Sequence, residues 1–325
     1  MSSPATVLPH NLKGGASGEQ QAIAALAQAA SVEMTWHDSV HLDACRDFLP
    51  PGTPMYVSHI PAQSWRETLS TCVAVRAAGL EPVPHVPVRE LMDEAALENL
   101  LAELVGRGAV RRVLLIAGDR SKPLGPFSQA LDVLQSGQLE RHGIRRVTVA
   151  GHPEGHPRIS ATELRQAERD KLAWAADAGI ELEFLTQFFF EAAPFISWVE
   201  GLRAKRVRAR VTAGLTGPAK LTTLFKYALR CGVGPSIRAL GARPGSFAGL
   251  VGERGPERLV RAIADAAAEG GLEPIGIHLY SFGGLVQTCA WIDAVARGRF
   301  ALDDAGAFTV DLHSEINWDA RYPRR

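Results

Sequence analysis

The chain has 325 residues, 46% of them hydrophobic, enough for one large core or two modest domains. Lys plus Arg and Asp plus Glu each total 35, so there is no basic excess of the kind that a nucleic-acid or anionic-membrane partner requires. The cysteines Cys45, Cys72, Cys231 and Cys289 form no Cys-x-x-Cys pair. That excludes a zinc-ribbon or disulfide framework and leaves buried free thiols in a reducing compartment as the expectation.

Residues 1–17 are rich in Ser, Pro and Gly and read as a mobile arm, with no signal peptide. No apolar run reaches membrane-spanning length, so a cytoplasmic protein is expected. Gln20 to Ala30 has helical spacing and is expected to plug or flank the unit that follows. From residue 31 a rhythm begins. Strand-type runs are Ser31–Trp36, Met55–Ile60, Glu81–Val86, Arg112–Ala117, Arg145–Gly151, Glu181–Gln187, Ala209–Gly214 and Pro274–Tyr280. Most recur at roughly 25–35 residues, with helical patterns between, as in a (β/α)8 barrel.

Local punctuation supports the helices. Ser160-Ala161-Thr162-Glu163 is a capping box, Gly179 stands where a C-terminal glycine belongs, and Pro126 and Pro218 sit where a first-turn proline is tolerated. The gap between the seventh and eighth strands is double the usual period. It holds Leu221–Arg230, Pro235–Leu240 and Glu257–Ala268, which read as extra helices. The fold expected is therefore an α/β, TIM-type (β/α)8 barrel with an N-terminal helix and extra helices after strand seven. Its expected divisions are an arm and helix over 1–30, the barrel over 31–300, and a tail over 301–325. Neither Gly-x-Gly-x-x-Gly nor a P-loop is present.

In such barrels chemistry sits at the C-terminal strand ends. Those ends carry Glu33, Ser58-His59, His85, Gly118-Asp119, His152-Pro153-Glu154-Gly155-His156-Pro157, Gln187, Gly214, and His278 with Tyr280. The opposite ends read as ordinary Arg/Gly turns. Most of these residues taken singly are more often structural. Glu33 differs, because an unpaired buried carboxylate is costly. It is either paired or used as an acid with a raised pKa. In the sixth strand Glu181 and Glu183 alternate with apolar residues, which predicts one partly wet face. His152 and His156 are four apart, but Pro153, Gly155 and Pro157 make the segment a loop, and no metal site is expected. His37 and His41 read as solvated helix positions. Phe188, Phe189 and Phe190 read as core and lid packing, with one available to stack on a flat ligand.

Ile116-Ala117-Gly118-Asp119, His152-Pro153-Glu154-Gly155-His156-Pro157, Leu185-Thr186-Gln187-Phe188-Phe189-Phe190 and His278-Leu279-Tyr280 together resemble the methylenetetrahydrofolate reductases, over about residues 31 to 297. That family is a (β/α)8 barrel that usually binds FAD and reduces 5,10-methylenetetrahydrofolate to 5-methyltetrahydrofolate with NAD(P)H. The resemblance implies that Glu33 is the acid that opens the folate ring. It makes Asp119 the anion that stabilises the resulting iminium cation. Gln187 would hydrogen-bond the pterin, with Tyr280 also on the substrate side. His85, Gly118, Asp119, His152, His156, Glu168 and Lys171 would hold the cofactor, Glu168 near the ribose.

Several positions depart from the family pattern. Ala117 replaces an Arg before Gly-Asp, Trp174 and Ala175 replace an Arg-Lys pair, and Ile60 replaces a flavin-side threonine. Gly284 replaces the Arg that holds the folate tail, and Leu221 replaces a folate-stacking Phe. FAD remains the expected cofactor, with the missing basic groups replaced from among Arg120, Lys122, Arg165, Arg169 and Lys171. A flavin-free reductase of the same reaction and a folate-binding methyltransferase barrel remain as alternatives. The expected partners are a folate substrate and a nicotinamide cosubstrate. A homo-oligomer is compatible with the sequence, and the direction of reaction is open.

Overall fold

All eight predicted strands form and pair in sequence order to close a barrel. They are β1 (Ser31–Met34), β2 (Pro54–Val57), β3 (Glu81–Pro87), β4 (Arg112–Ile116), β5 (Arg146–Gly151), β6 (Glu181–Phe188), β7 (Arg210–Thr216) and β8 (Ile275–Tyr280). Every pairing is parallel, and β8 closes on β1. Parallel neighbours require a crossover, and helices supply it. This computed structural model describes residues 16–60, 63–219, 255–310 and 312.

The helices are α1 (Ala16–Gln28), α2 (Leu42–Cys45), α3 (Trp65–Ala77), α4 (Glu94–Gly106), α5 (Ala130–Gln135), α6 (Gln138–Arg141), α7 (Ala161–Ala178), α8 (Ala192–Ala204), α9 (Glu257–Ala268) and α10 (Leu285–Ala296). Ser160 caps α7 as expected. Its hydroxyl accepts from the Glu163 N–H at 3.3 Å, while the Glu163 carboxylate accepts from the Ser160 N–H at 2.8 Å. Gly179 ends α7 in the left-handed region at φ 65°. Pro126 does not open a helix. Helix α5 starts only at Ala130, behind an Asp132 carboxylate that accepts from the N–H groups of Ser128 and Gln129. The predicted helices Leu221–Arg230 and Pro235–Leu240, the one that Pro218 would open, and Cys231 lie outside the described residues.

Strand β1 stops at Met34 rather than Trp36. The N–H and hydroxyl of Thr35 both donate to Asp38 at 2.8 Å and turn the chain into a 3-10 segment, Trp36–His41. His37 and His41 are exposed on it. Helix α1 flanks the barrel and packs on α9 and α10. Arg261 of α9 pairs with Glu19 of α1 and donates to the carbonyls of Asp303 and Ala307. It thereby latches the start of the predicted tail. There a hairpin of β9 (Ala301–Leu302) and β10 (Phe308–Thr309) lays Phe308 beside Trp291.

Two apolar zones hold the barrel. The larger fills the space between strands and helices, with Phe184, Phe195, Trp291 and Leu101 almost fully buried. The smaller lies inside, formed by Tyr56, Val83, Leu114 and Leu185. Below it the interior is ionic, which corrects two expectations. Glu183 is not on a wet face but 2% exposed, 3.0 Å from Arg112 and 3.4 Å from Arg146. Arg112 and Arg146 also face Glu81, at 3.4 and 3.6 Å. Arg112 is therefore part of the core rather than a turn residue, and Arg146 joins it from a half-buried position. Burial works against the Arg112 charge, but Glu183, Tyr56 and Glu81 outweigh it and raise its pKa. Cys45, Cys72 and Cys289 are buried free thiols. No helix among the described residues is long and apolar enough to cross a membrane.

Candidate active site

The interior alternation of β1 places Ser31 and Glu33 on one face, two residues apart. Closure sets β8 beside it, with Ser31 opposite His278 and Glu33 opposite Tyr280. Three ionisable side chains then meet inside the barrel mouth. Oε2 of Glu33 lies 3.3 Å from Nε2 of His85 and 3.7 Å from Nε2 of His278. His278 is fully buried, and its Nδ1 is 2.9 Å from the Ser31 hydroxyl.

Neither Glu33–histidine contact has good hydrogen-bond geometry, and the three facing atoms have no other partner among the described residues. Burial pushes the Glu33 carboxyl up, but the charge of His85 and the proximity of both rings outweigh it and hold the carboxyl well below the usual range. Of the two alternatives for Glu33, the geometry favours the paired one, because the neighbouring imidazoles favour its anion more than burial disfavours it. Burial lowers the pKa of His278, with Glu33 opposing. With a proton on Nε2 of His278, the Ser31 hydroxyl donates to Nδ1; with the proton on Nδ1, the ring donates to Ser31.

The β6 tip is shaped by a bulge. Leu185 pairs with Thr212 and Phe188 with Gly214, so one extra residue sits on β6 at Thr186–Gln187. A bulge re-aims side chains. Leu185 and Phe188 are buried while Gln187 is exposed. The bulge presses against β7, where a Cβ on Gly214 would lie 2.2 Å from the Thr186 carbonyl oxygen. Only glycine fits there. Tyr280 donates its hydroxyl to the same carbonyl at 2.9 Å, tying β8 to the residue before Gln187.

Gly118 and Asp119 follow β4 on the same rim. Gly118 has φ 88°, and a Cβ there would lie 2.8 Å from the Cβ of Pro87. This sharp turn leaves Asp119 exposed.

His152, His156, Glu168 and Lys171 form a separate cluster beyond β5. The rings of His152 and His156 meet edge to face at 5.7 Å. Burial, assisted by the charges of His156 and Lys171, pulls His152 down to about 4. Burial likewise lowers Lys171 and raises Glu168. Glu168 already accepts from the Trp198 indole N–H at 3.0 Å. No group of three His, Cys, Asp or Glu side chains suited to a metal ion occurs among the described residues.

Sequence reasoning thus reached Glu33, His85 and Tyr280, which the fold brings together, and placed Gln187 and Asp119 on the same rim. It gave no role to His278 or Ser31. Their signal was spacing: Ser31/Glu33 and His278/Tyr280 are both i, i+2 pairs on the two strands that close the barrel.

A family model described as Methylenetetrahydrofolate reductase matches residues 54–233, more than half of the chain. Solved structures are similar at a lower level. Dihydropteroate synthase from Thermus thermophilus is 12% identical, with 82% of this chain and 92% of that one covered and a TM-score of 0.43. D-psicose 3-epimerase from Clostridium cellulolyticum is 9% identical, with 83% and 96% covered and a TM-score of 0.40. A conserved protein from Enterococcus faecalis is 11% identical, with a TM-score of 0.38. There the match covers 59% of this chain and 49% of that one, so this chain spans about half of its length.

Proposed function

The chain belongs to the methylenetetrahydrofolate reductase family, and from that premise we propose that it interconverts 5,10-methylenetetrahydrofolate and 5-methyltetrahydrofolate with NAD(P)H as hydride partner. The observation that carries this reading is the buried acid group at the barrel mouth, Glu33 between His85 and His278. In the reducing direction the bridging amine nitrogen takes a proton, and its bond to the one-carbon unit breaks. A cationic iminium remains, and hydride reduces it to the methyl group while NAD(P)H becomes NAD(P)+. The proton is held by the three-residue cluster rather than by a lone carboxyl. Desolvation by a bound substrate disfavours the Glu33 anion, which makes protonation of Glu33 easier when it is needed. Asp119 supplies the exposed anion on the rim that favours the iminium, and Gln187 offers an unburied amide to the pterin edge.

FAD, the flavin usual in the family, meets an incomplete set of partners. Arg120, a candidate substitute for the missing Arg, is paired with Glu90 at 2.8 Å. Arg89 is turned to the carbonyls of Ser128 and Arg120. Arg165 and Arg169 bond Thr162 and Gln166 on the exposed face of α7, and the Glu168 carboxylate holds Trp198. Lys122 is exposed, and Lys171 is the sheltered cation among these candidates for a diphosphate that carries two charges. The described residues do not fit the adenosine diphosphate half of FAD, and no step is assigned to flavin.

The test is anaerobic oxidation of NAD(P)H with methylenetetrahydrofolate, alongside the absorbance spectrum of the purified protein. Folate-dependent oxidation by a protein that is colourless after dialysis is expected. Absence of folate-dependent turnover in either direction, with or without added FAD, would overturn the reductase reading. Stoichiometric FAD that survives dialysis would overturn the misfit.

A further inference from the structure

Tyr56 on β2 touches both imidazoles that flank Glu33. The β1–β2 register sets it opposite Glu33, and it packs inside the barrel with Val83, Leu114 and Leu185. Its ring meets His278 edge to face at 4.8 Å and 71°, and His85 at 6.2 Å and 75°. Its hydroxyl is hydrogen-bonded to the Thr148 hydroxyl on β5 at 3.0 Å, so the side chain crosses the barrel from β2 to β5. Tyr56 is 3% exposed. Burial pushes its phenol above the ordinary range, against the nearby Arg112 charge. The phenol therefore stays neutral, and its effect on its neighbours is one of shape.

The imidazoles need such a support. Nδ1 of His278 is held by the Ser31 hydroxyl at 2.9 Å, but Nε2 of His85 has no hydrogen-bond partner among the described residues. Glu33 faces both Nε2 atoms, at 3.3 and 3.7 Å, without the hydrogen-bond geometry that would lock either ring. Ring orientation then depends on packing, and a close-packed interior holds side chains in single rotamers. The hydroxyl end of Tyr56 meets the ionic floor, where Arg112 and Glu183 lie. Its ring end meets the proton site.

We propose that Tyr56 is a positioning residue for the proton site, its ring holding the imidazoles of His85 and His278 against the Glu33 carboxylate. This deepens the reductase reading above and rests on it for the catalytic consequence. A proton shared among Glu33, His85 and His278 is retained by the attraction between carboxylate and imidazolium, which requires contact. With the ring gone the imidazoles tilt away, and the coupling between carboxylate and imidazole is lost. Other ionisable groups border the cluster. They are His59, held down by burial and by the charge of His85, Tyr280 with its ring 4.8 Å from His278, and Arg112 with Glu183 at the Tyr56 hydroxyl. A double-mutant cycle cancels their effects.

The test is an NMR titration of the His85 and His278 rings in wild type, Glu33→Gln, Tyr56→Leu and the double variant. Glu33 opposes the lowering of His278 by burial, so Glu33→Gln alone should move the imidazole midpoints down by about one pH unit, or roughly tenfold. In the Tyr56→Leu background the same substitution should move them by less than about a third of that. Tyr56→Phe, which keeps the ring, should restore the shift while its Tm falls, because the buried Thr148 hydroxyl loses its partner. In folate turnover, Tyr56→Leu should lower kcat about tenfold or more and leave the folate KM unchanged. An equal Glu33→Gln shift in both Tyr56 backgrounds, a lost shift in Tyr56→Phe, or a wild-type kcat in Tyr56→Leu would each overturn the proposal. Tyr56→Met, which fills the same apolar space, takes the place of Tyr56→Leu if that variant does not fold. Failure of both to fold would make Tyr56 a core residue and overturn the proposal too. Wild-type protein that turns over no folate would sink the reductase reading alone, because the titration cycle needs no substrate.

Discussion

Oε2 of Glu33 on β1 stands 3.3 Å from Nε2 of His85 on β3, across the width of β2. Two strands that do not pair with each other thus bring side chains to one point inside the barrel. His278 approaches the same oxygen from the other side, on β8. The carboxylate is held between two imidazoles.

Glu33→Gln keeps the shape of the side chain and removes the carboxylate that would take up and pass on the proton. Folate turnover should fall by roughly 100-fold or more, the scale of general acid catalysis. The fold should survive, since the amide remains among the same neighbours. Wild-type-like turnover, measured by NAD(P)H absorbance, would remove Glu33 from the reaction.

Gln187→Ala tests the bulge. The side chain is exposed, so its loss should leave Tm unmoved. One hydrogen bond to bound pterin corresponds to about a tenfold change in affinity, or roughly 1.4 kcal/mol. Equilibrium binding of 5-methyltetrahydrofolate reads this directly. An unchanged constant would make Gln187 a residue that merely terminates the strand.

Strand positions and the rim were legible because each interior strand face carries its own period-two signal, and Gly, Pro and capping residues mark the joints. What the sequence could not show was how non-neighbouring strands meet. Glu183 reads as half-wet by alternation, yet the inside of a barrel is a face too, and there Arg112 and Arg146 pair with it. His278 looked like any polar strand end until the β1–β8 register set it opposite Ser31. Arg120 looked available for a phosphate until Glu90 was found against it. These are long-range pairings, and local pattern does not encode them.

His152 provides a pH test. Burial holds its pKa at about 4, below the ordinary 6.5. Between these values the unfolded chain takes up a proton at this ring and the folded chain does not, so stability falls as pH drops from 6.5 toward 4 and then levels off. A shift of that size corresponds to roughly 3 kcal/mol at most. His152→Gln should flatten the urea midpoint across that window relative to wild type. Equal slopes for the two proteins would show that His152 titrates normally.

The ionic layer at the barrel floor makes the sharpest stability prediction. Glu183 is shared by Arg112 and Arg146, and Glu81 is the second carboxylate that both arginines approach. Glu183→Ala takes away the more deeply buried of these two carboxylates, in a site nearly closed to water. Removing one partner of a buried pair costs about 3–5 kcal/mol, mostly from the charge left behind. Urea unfolding should show a large fall in midpoint with the m-value unchanged. Replacing both ends of the shortest contact, Arg112→Met with Glu183→Leu, removes the stranded charge together with the pair. That double variant should recover most of the loss, because burying two ions costs nearly what their attraction returns. A single variant that unfolds at the wild-type midpoint would mean that water enters the floor and solvates the arginines. A double variant no more stable than the single one would mean that the loss comes from packing rather than from charge.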